Sequence, residues 1–122
     1  MDQPLLERIR TEIRTQGPIS FARFMERALT EPGLGYYVGT QPRAGRDGDF
    51  MTAPEMHSLL GSALARLIRE TWERLDRPQP FQYTEYGAGS GALLLAVVDQ
   101  LIRDESPLLE ALQIQPIEIN PH

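Results

Sequence analysis

The chain has 122 residues and a formal net charge of −5, and its 12 basic residues are all arginine. The absence of cysteine excludes disulfides and thiolate metal sites, and two distant histidines argue against metal-centred chemistry. No basic stripe is present to neutralise a nucleic acid, and no apolar run approaches the ~18 residues that span a membrane. The first residues also lack the basic and apolar segments of a signal or transit peptide. We therefore expect a soluble, cytoplasmic protein of bacterial type, with no nucleic-acid partner and no membrane insertion.

Two amphipathic helices are predicted at the amino-terminal end. The first begins after Asp2 and ends at Gly17-Pro18, where glycine provides a C-cap and proline prevents continuation. The second begins after Ser20, a favourable N-cap, and ends before Pro32-Gly33. Its Phe and Met side chains recur at helical spacing, and we interpret this stripe as core rather than as a ligand site.

A glycine-rich, charged segment without periodicity follows over residues 35–54. Long segments of this kind are usually functional or disordered. The aromatic pair Tyr36-Tyr37 favours an ordered lid or pocket wall, with a simple connection as the alternative. A long amphipathic helix is then predicted over residues 55–75. Residues 1–78 are thus predicted to form an amino-terminal helical region.

Residues 79–122 predict the first β-loop-α-β unit of a parallel sheet. We expect a strand over 81–86, a helix over 92–103, a loop or short helix from Ser106, and a second strand over 115–119. A right-handed crossover would place the two strands side by side and parallel. Two strands would leave sheet edges and much of the helix uncovered, so we expect the chain to be a truncated part of a larger α/β protein.

The loop between the first strand and its helix carries glycines at 87, 89 and 91, and Glu85 precedes them by two residues. This spacing fits both the dinucleotide fingerprint, in which a helix N-terminus binds a pyrophosphate, and a motif for S-adenosylmethionine (SAM). A carboxylate at the strand end would repel a pyrophosphate but suits an ammonium or sulfonium group. We therefore predict that SAM binds here, its amino acid end held by loop amides and Glu85. The alternatives are an NAD-binding domain and an ordinary glycine-rich turn.

Motifs spread over nearly the whole chain resemble those of one known family. They are Gly17-Pro18-Ile19-Ser20-Phe21, Pro32-Gly33-Leu34-Gly35-Tyr36-Tyr37, Gly48-Asp49-Phe50-Met51-Thr52-Ala53-Pro54-Glu55, Leu60-Gly61 and Glu85-Tyr86-Gly87-Ala88-Gly89-Ser90-Gly91. In this order they resemble the amino-terminal portion of the MidA-like class I SAM-dependent methyltransferases, a family that includes the mitochondrial complex I assembly factor methylating a protein arginine. The resemblance implies a Rossmann-like sheet and methyl transfer to a protein side chain, arginine by analogy.

The resemblance also implies roles for individual residues. The cofactor-binding set is expected to be Glu85, Gly87, Ala88, Gly89, Gly91 and Glu118. Within this set, Glu118 would hydrogen-bond the ribose hydroxyls from the end of the second strand.

A carboxylate could orient a guanidinium nucleophile or remove its proton. Asp49 and Glu55 are the acids that the family motifs place best for this role, although Glu55 equally suits the first turn of a helix. This chain has Ala88 and Ser90 where the family tends to have Pro and Arg, and this difference affects the finer contacts with the cofactor. A non-catalytic SAM-binding or interaction module is the alternative function, and we expect the 122-residue chain alone to be inactive.

Overall fold

A computed structural model of the chain describes residues 3–39, 48–49 and 51–120, without the side chains of residues 54 and 55. The described residues group into two compact units. The first comprises residues 3–39, 48–49 and 119–120, and the second comprises residues 51–118. The predicted division at residue 78 stays a prediction about domain organisation. No helix in the described ranges is long and apolar enough to cross a membrane.

The first unit is built on two helices, α1 (Gln3–Gln16) and α2 (Phe21–Thr30), as predicted. The Ser20 side chain accepts a hydrogen bond from the Arg23 amide at 3.1 Å, which confirms the predicted N-cap. The predicted core stripe of α2 is found in part, because Phe24, Met25, Ala28 and Leu29 are half-buried. None of the α2 side chains is fully buried, and Phe21 is 76% exposed.

Charged side chains also join α1 to α2, in addition to the buried apolar residues Leu5 and Ile9 of α1. Glu12 accepts hydrogen bonds from Arg23 and Arg27, each at 2.9 Å, and Arg27 and Arg8 pair with Glu31 in the same way. These guanidinium hydrogen bonds lower the pKa of both carboxyl groups. The largest contribution comes from Arg23 at Glu12 and from Arg27 at Glu31. A buried pair of acids held by several arginines therefore joins the two helices.

The second unit contains a parallel pair of strands and four helical segments. In chain order they are α3 (Ala53–Met56), α4 (Leu59–Arg74), β1 (Phe81–Tyr86), α5 (Ala92–Arg103), a 3₁₀ helix (Pro107–Glu110) and β2 (Leu112–Ile117). The predicted bounds of β1 and α5 are confirmed, and the strands pair in parallel as expected.

Two predicted elements in this unit have the wrong bounds. The single helix over 55–75 is divided between α3 and α4, because the Leu59 amide donates to His57 Nδ1 at 3.0 Å instead of continuing the helical ladder. The second strand begins at Leu112 rather than residue 115 and ends at Ile117 rather than residue 119. Pairing along the whole of β1, from Phe81 opposite Leu112 onward, fixes these bounds.

The core of the second unit lies between α4, α5 and the segment that leads into β2. Its buried members are Ala65, Trp72, Val97, Leu101, Leu108 and Ala111. The two long helices approach so closely at Gly61 that a Cβ at this position would lie 2.4 Å from the Cβ of Ala96. Other apolar side chains of α5 are exposed, including Leu95 at 61% and Ile102 at 56%. The sequence-based expectation that two strands cannot cover this helix is therefore confirmed for these residues.

Candidate functional site

The predicted cofactor loop joins the end of β1 to the start of α5. Gly87, Gly89 and Gly91 all have left-handed backbone conformations, with φ of 67°, 53° and 75°. Residues with a Cβ adopt this region only at a cost, so these positions favour glycine. The alternating glycines therefore produce the sharp turn from strand to helix that the sequence predicted.

Hydrogen bonds attach this loop to the end of β2. The amides of Gly87 and Ala88 donate to the Ile117 carbonyl at 2.7 and 3.2 Å, and the Gly91 amide donates to the Ala88 carbonyl at 2.8 Å. These amides, which the sequence analysis expected to hold a cofactor, thus have partners within the chain. Their main contribution in this structure is to fix the loop in one shape beside both strand ends.

The Glu118 carboxylate completes this attachment from a position one residue beyond β2. Its Oε2 atom accepts a hydrogen bond from the Gly89 amide at 2.7 Å. This contact brings together two predicted cofactor residues that are 29 positions apart in the chain. It also places a negative charge at the centre of the glycine loop, where it would repel a pyrophosphate.

Glu85 lies on β1, two residues before the loop, and is half-buried. Its Oε2 atom accepts a hydrogen bond from the Tyr83 hydroxyl at 3.1 Å. Burial, and then the adjacent Glu85 carboxylate, raise the pKa of Tyr83 to about 12, so the hydroxyl stays a donor at neutral pH. Tyr83 is not among the site residues predicted from the sequence, although strand periodicity places residues 83 and 85 on one face of β1.

The start of α5 supplies the opposite electrostatic character. Gly91 occupies the N-cap position without a side-chain cap, and the first turn of α5 contains no acid. The exposed amides of a helix N-terminus favour a negative group. The loop therefore leads from a strand that carries Glu85 to a helix N-terminus, and the Glu118 carboxylate is bonded to its Gly89 amide. This combination suits a ligand that carries both a cationic group and a carboxylate.

The catalytic roles predicted for Asp49 and Glu55 stay predictions. Asp49 belongs to the first unit, is exposed, and accepts a hydrogen bond from the Tyr36 hydroxyl at 2.8 Å. Glu55 lies in α3, but its side chain is outside the described part of the structure. Part of the predicted lid, residues 40–47 and residue 50, also lies outside the described residues. Within the described ranges, no group of three or more potential metal ligands occurs.

Comparisons with known proteins show that this chain is similar to methyltransferases. A model of a family described as S-adenosyl-L-methionine-dependent methyltransferases matches residues 63–122. The mitochondrial protein arginine methyltransferase NDUFAF7 homolog of Drosophila melanogaster is 32% identical over 115 residues, which cover 92% of this chain and 26% of that protein. Human NDUFAF7, a mitochondrial protein arginine methyltransferase, is 36% identical over 101 residues, 80% of this chain and 23% of that protein. The predicted family resemblance is confirmed: the chain is similar to SAM-dependent methyltransferases.

A solved structure supports the same relationship. A protein from Burkholderia thailandensis, crystallised with bound S-adenosyl-homocysteine, matches 93% of this chain and 30% of its own length, with a TM-score of 0.78 and 33% identity. The predicted α/β methyltransferase fold is therefore confirmed, and SAM is confirmed as the cofactor at the level of the family. The chain spans about a quarter of the length of the curated relatives named above.

The predicted cytoplasmic location is wrong. The curated relatives named above are mitochondrial proteins. Composition and net charge decide solubility and non-specific association rather than compartment, and targeting segments are removed without taking part in the fold. The bulk properties of this chain were therefore no basis for assigning a location.

Proposed function

We propose that this chain supplies part of the SAM-binding site of a methyltransferase that modifies a protein side chain. The observation that carries the proposal is the hydrogen bond from the Gly89 amide to Glu118, which shapes the glycine loop and sets a carboxylate within it. With Glu85 on the neighbouring strand, two acids flank one loop that precedes a helix N-terminus. The relatives named as protein arginine methyltransferases support a protein substrate, with arginine as the acceptor.

The residues of the loop divide the binding of SAM among them. Glu85 receives the ammonium group of the cofactor's amino acid end, and the first amides of α5 receive its carboxylate. Glu118 accepts hydrogen bonds from the ribose hydroxyls, either alongside its bond to Gly89 or in exchange for it. The left-handed glycines keep Cβ atoms away from the ligand, so the backbone can approach it closely.

When bound, SAM supplies a sulfonium methyl group that a nucleophile attacks in line. The chain's contribution is to fix that group in position and to exclude water from it. For a guanidinium acceptor, a carboxylate must also orient the nitrogen or take its proton. Asp49 and Glu55 are our candidates for this role. Asp49 is supported by its exposure and by the Tyr36 hydroxyl, which holds one carboxylate oxygen.

Ligand titration of the full-length protein by calorimetry tests the cofactor assignment. We expect heat for SAM and for S-adenosyl-homocysteine, and none for NAD, because the acids at the loop repel a pyrophosphate. Glu85→Gln should weaken the binding of both favoured ligands, whereas Glu70→Gln, which removes the ion pair with Arg66 on α4, should change neither affinity. Tighter binding of NAD than of SAM would overturn the assignment.

Methyl transfer requires a second measurement. The protein is incubated with methyl-labelled SAM and a mitochondrial protein extract, and labelled products are hydrolysed to amino acids. Label in methylarginine supports the proposed acceptor, and label in another amino acid would replace it. Cofactor binding without any transfer would favour the alternative of a non-catalytic SAM-binding module.

A further inference from the structure

The hydroxyl of Tyr83 has a defined partner at the site but no role in the function proposed above. It lies two residues before Glu85 on the same face of β1 and donates to the Glu85 carboxylate at 3.1 Å. We propose that Tyr83 is a positioning residue, which holds Glu85 in the orientation that receives the ammonium group of a SAM-type cofactor. The inference rests on the proposed function and adds a residue that determines how strongly the amino acid end of the ligand is bound.

A neutral donor is suited to this task. A hydroxyl can fix a carboxylate without cancelling its charge, whereas an arginine would form a salt bridge and satisfy the acid internally. Elsewhere in the chain, acids such as Glu12 and Glu31 are each held by two arginines. Among the described residues, Glu85 takes part in none of the salt bridges. Its negative charge is therefore oriented and still available to a cationic ligand.

The environment of Tyr83 keeps this donor in place. Tyr83 is half-buried, and its high pKa means that it does not ionise near neutral pH. Partial burial also limits the orientations that the ring can adopt, which favours the bond to Glu85. Tyr86 on the same strand offers a contrast, because its ring is 78% exposed. Within the described residues, its hydroxyl makes no recorded hydrogen bond, so Tyr86→Phe is a matched control.

Two ligands separate positioning from general stabilisation. S-adenosyl-homocysteine carries the ammonium group, and 5′-methylthioadenosine shares its adenosine but lacks the amino acid end. In the full-length protein, we expect Tyr83→Phe to weaken S-adenosyl-homocysteine binding about tenfold, in line with a lost hydrogen bond to a charged group. Binding of 5′-methylthioadenosine should change less than about twofold, and Tyr86→Phe should affect neither ligand. Calorimetry gives both affinities, and their ratio does not depend on the fraction of protein that is folded.

A double-mutant cycle tests whether Tyr83 acts through Glu85. Glu85→Gln removes the charge, so adding Tyr83→Phe to it should cause little further loss for S-adenosyl-homocysteine. Full additivity of the two losses would overturn the proposal, as would an equal loss for both ligands or an unchanged affinity in Tyr83→Phe. Failure of the parent protein to bind S-adenosyl-homocysteine would instead refute the proposed function on which the inference rests.

Discussion

The close contact between α4 and α5 makes Gly61 a sensitive position. Gly61 is buried on α4, and a Cβ placed there would lie 2.4 Å from the Cβ of Ala96 and 2.9 Å from its backbone carbonyl carbon. Real Cβ atoms do not approach this closely, so Gly61→Ala must push the helices apart or bend one of them. Because α5 follows the glycine loop directly, such a shift would also displace the start of the helix at the candidate site.

Two opposing effects set the size of the change. Alanine is favoured over glycine in a helix interior by about 1 kcal/mol, which would stabilise the variant. Overpacking of a close contact costs about 1–3 kcal/mol, and the upper part of this range applies because one clash is with backbone. We therefore expect Gly61→Ala to lower the free energy of unfolding by about 1–2 kcal/mol.

Urea unfolding of the full-length protein, followed by circular dichroism, measures this change. The companion substitution Ala96→Gly removes the nearest clashing atom, so it should cost less stability in the Gly61→Ala background than in the parent. Rescue should be incomplete, because the backbone contact persists. A Gly61→Ala variant that is more stable than the parent by about 1 kcal/mol, the helix-propensity term alone, would refute the close approach of the two helices.

Three further predictions concern the loop and the charged helix pair. Gly89→Val should abolish SAM binding in calorimetry, because a branched residue opposes the φ of 53° at this position. The helical circular dichroism signal should be retained. An unchanged affinity for SAM would place the ligand elsewhere. Glu118→Ala should weaken the binding of SAM more than the binding of homocysteine, the amino acid fragment of S-adenosyl-homocysteine, because the proposed ribose contact is lost. Equal losses of affinity would contradict a ribose role. Glu12 and Glu31 have pKa values lowered below 4.5 by arginine, so the stability they provide is fully present above that pH and is lost as pH falls through the lowered values. Glu12→Gln should therefore lower the melting temperature at pH 7 and flatten its decline as the pH falls below 4.5. An unchanged pH profile would show that the ion pairs do not contribute.

The sequence by itself determined the elements that depend on local chemistry. The bounds of β1 and α5 were predicted correctly because glycines 87, 89 and 91 mark both the end of the strand and the start of the helix. The Ser20 cap was predictable for the same reason, since a short side chain bonds an amide three residues away. The motif order was also enough to identify the methyltransferase family, because it depends on residue types and spacing alone.

Tertiary structure decided the features that join distant residues. The bounds of β2 follow from pairing along β1, which a weakly periodic segment containing Pro116 does not reveal. The division between α3 and α4 depends on a His57 side chain competing for a backbone amide, although the apolar pattern continues across it. The contact of Glu118 with Gly89 requires two strand ends to lie side by side, and sequence spacing fixes neither its distance nor its partner atom. Local propensity thus set the helices and the turn, whereas strand pairing and side-chain competition set the geometry of the site, because those interactions exist only after the chain has folded.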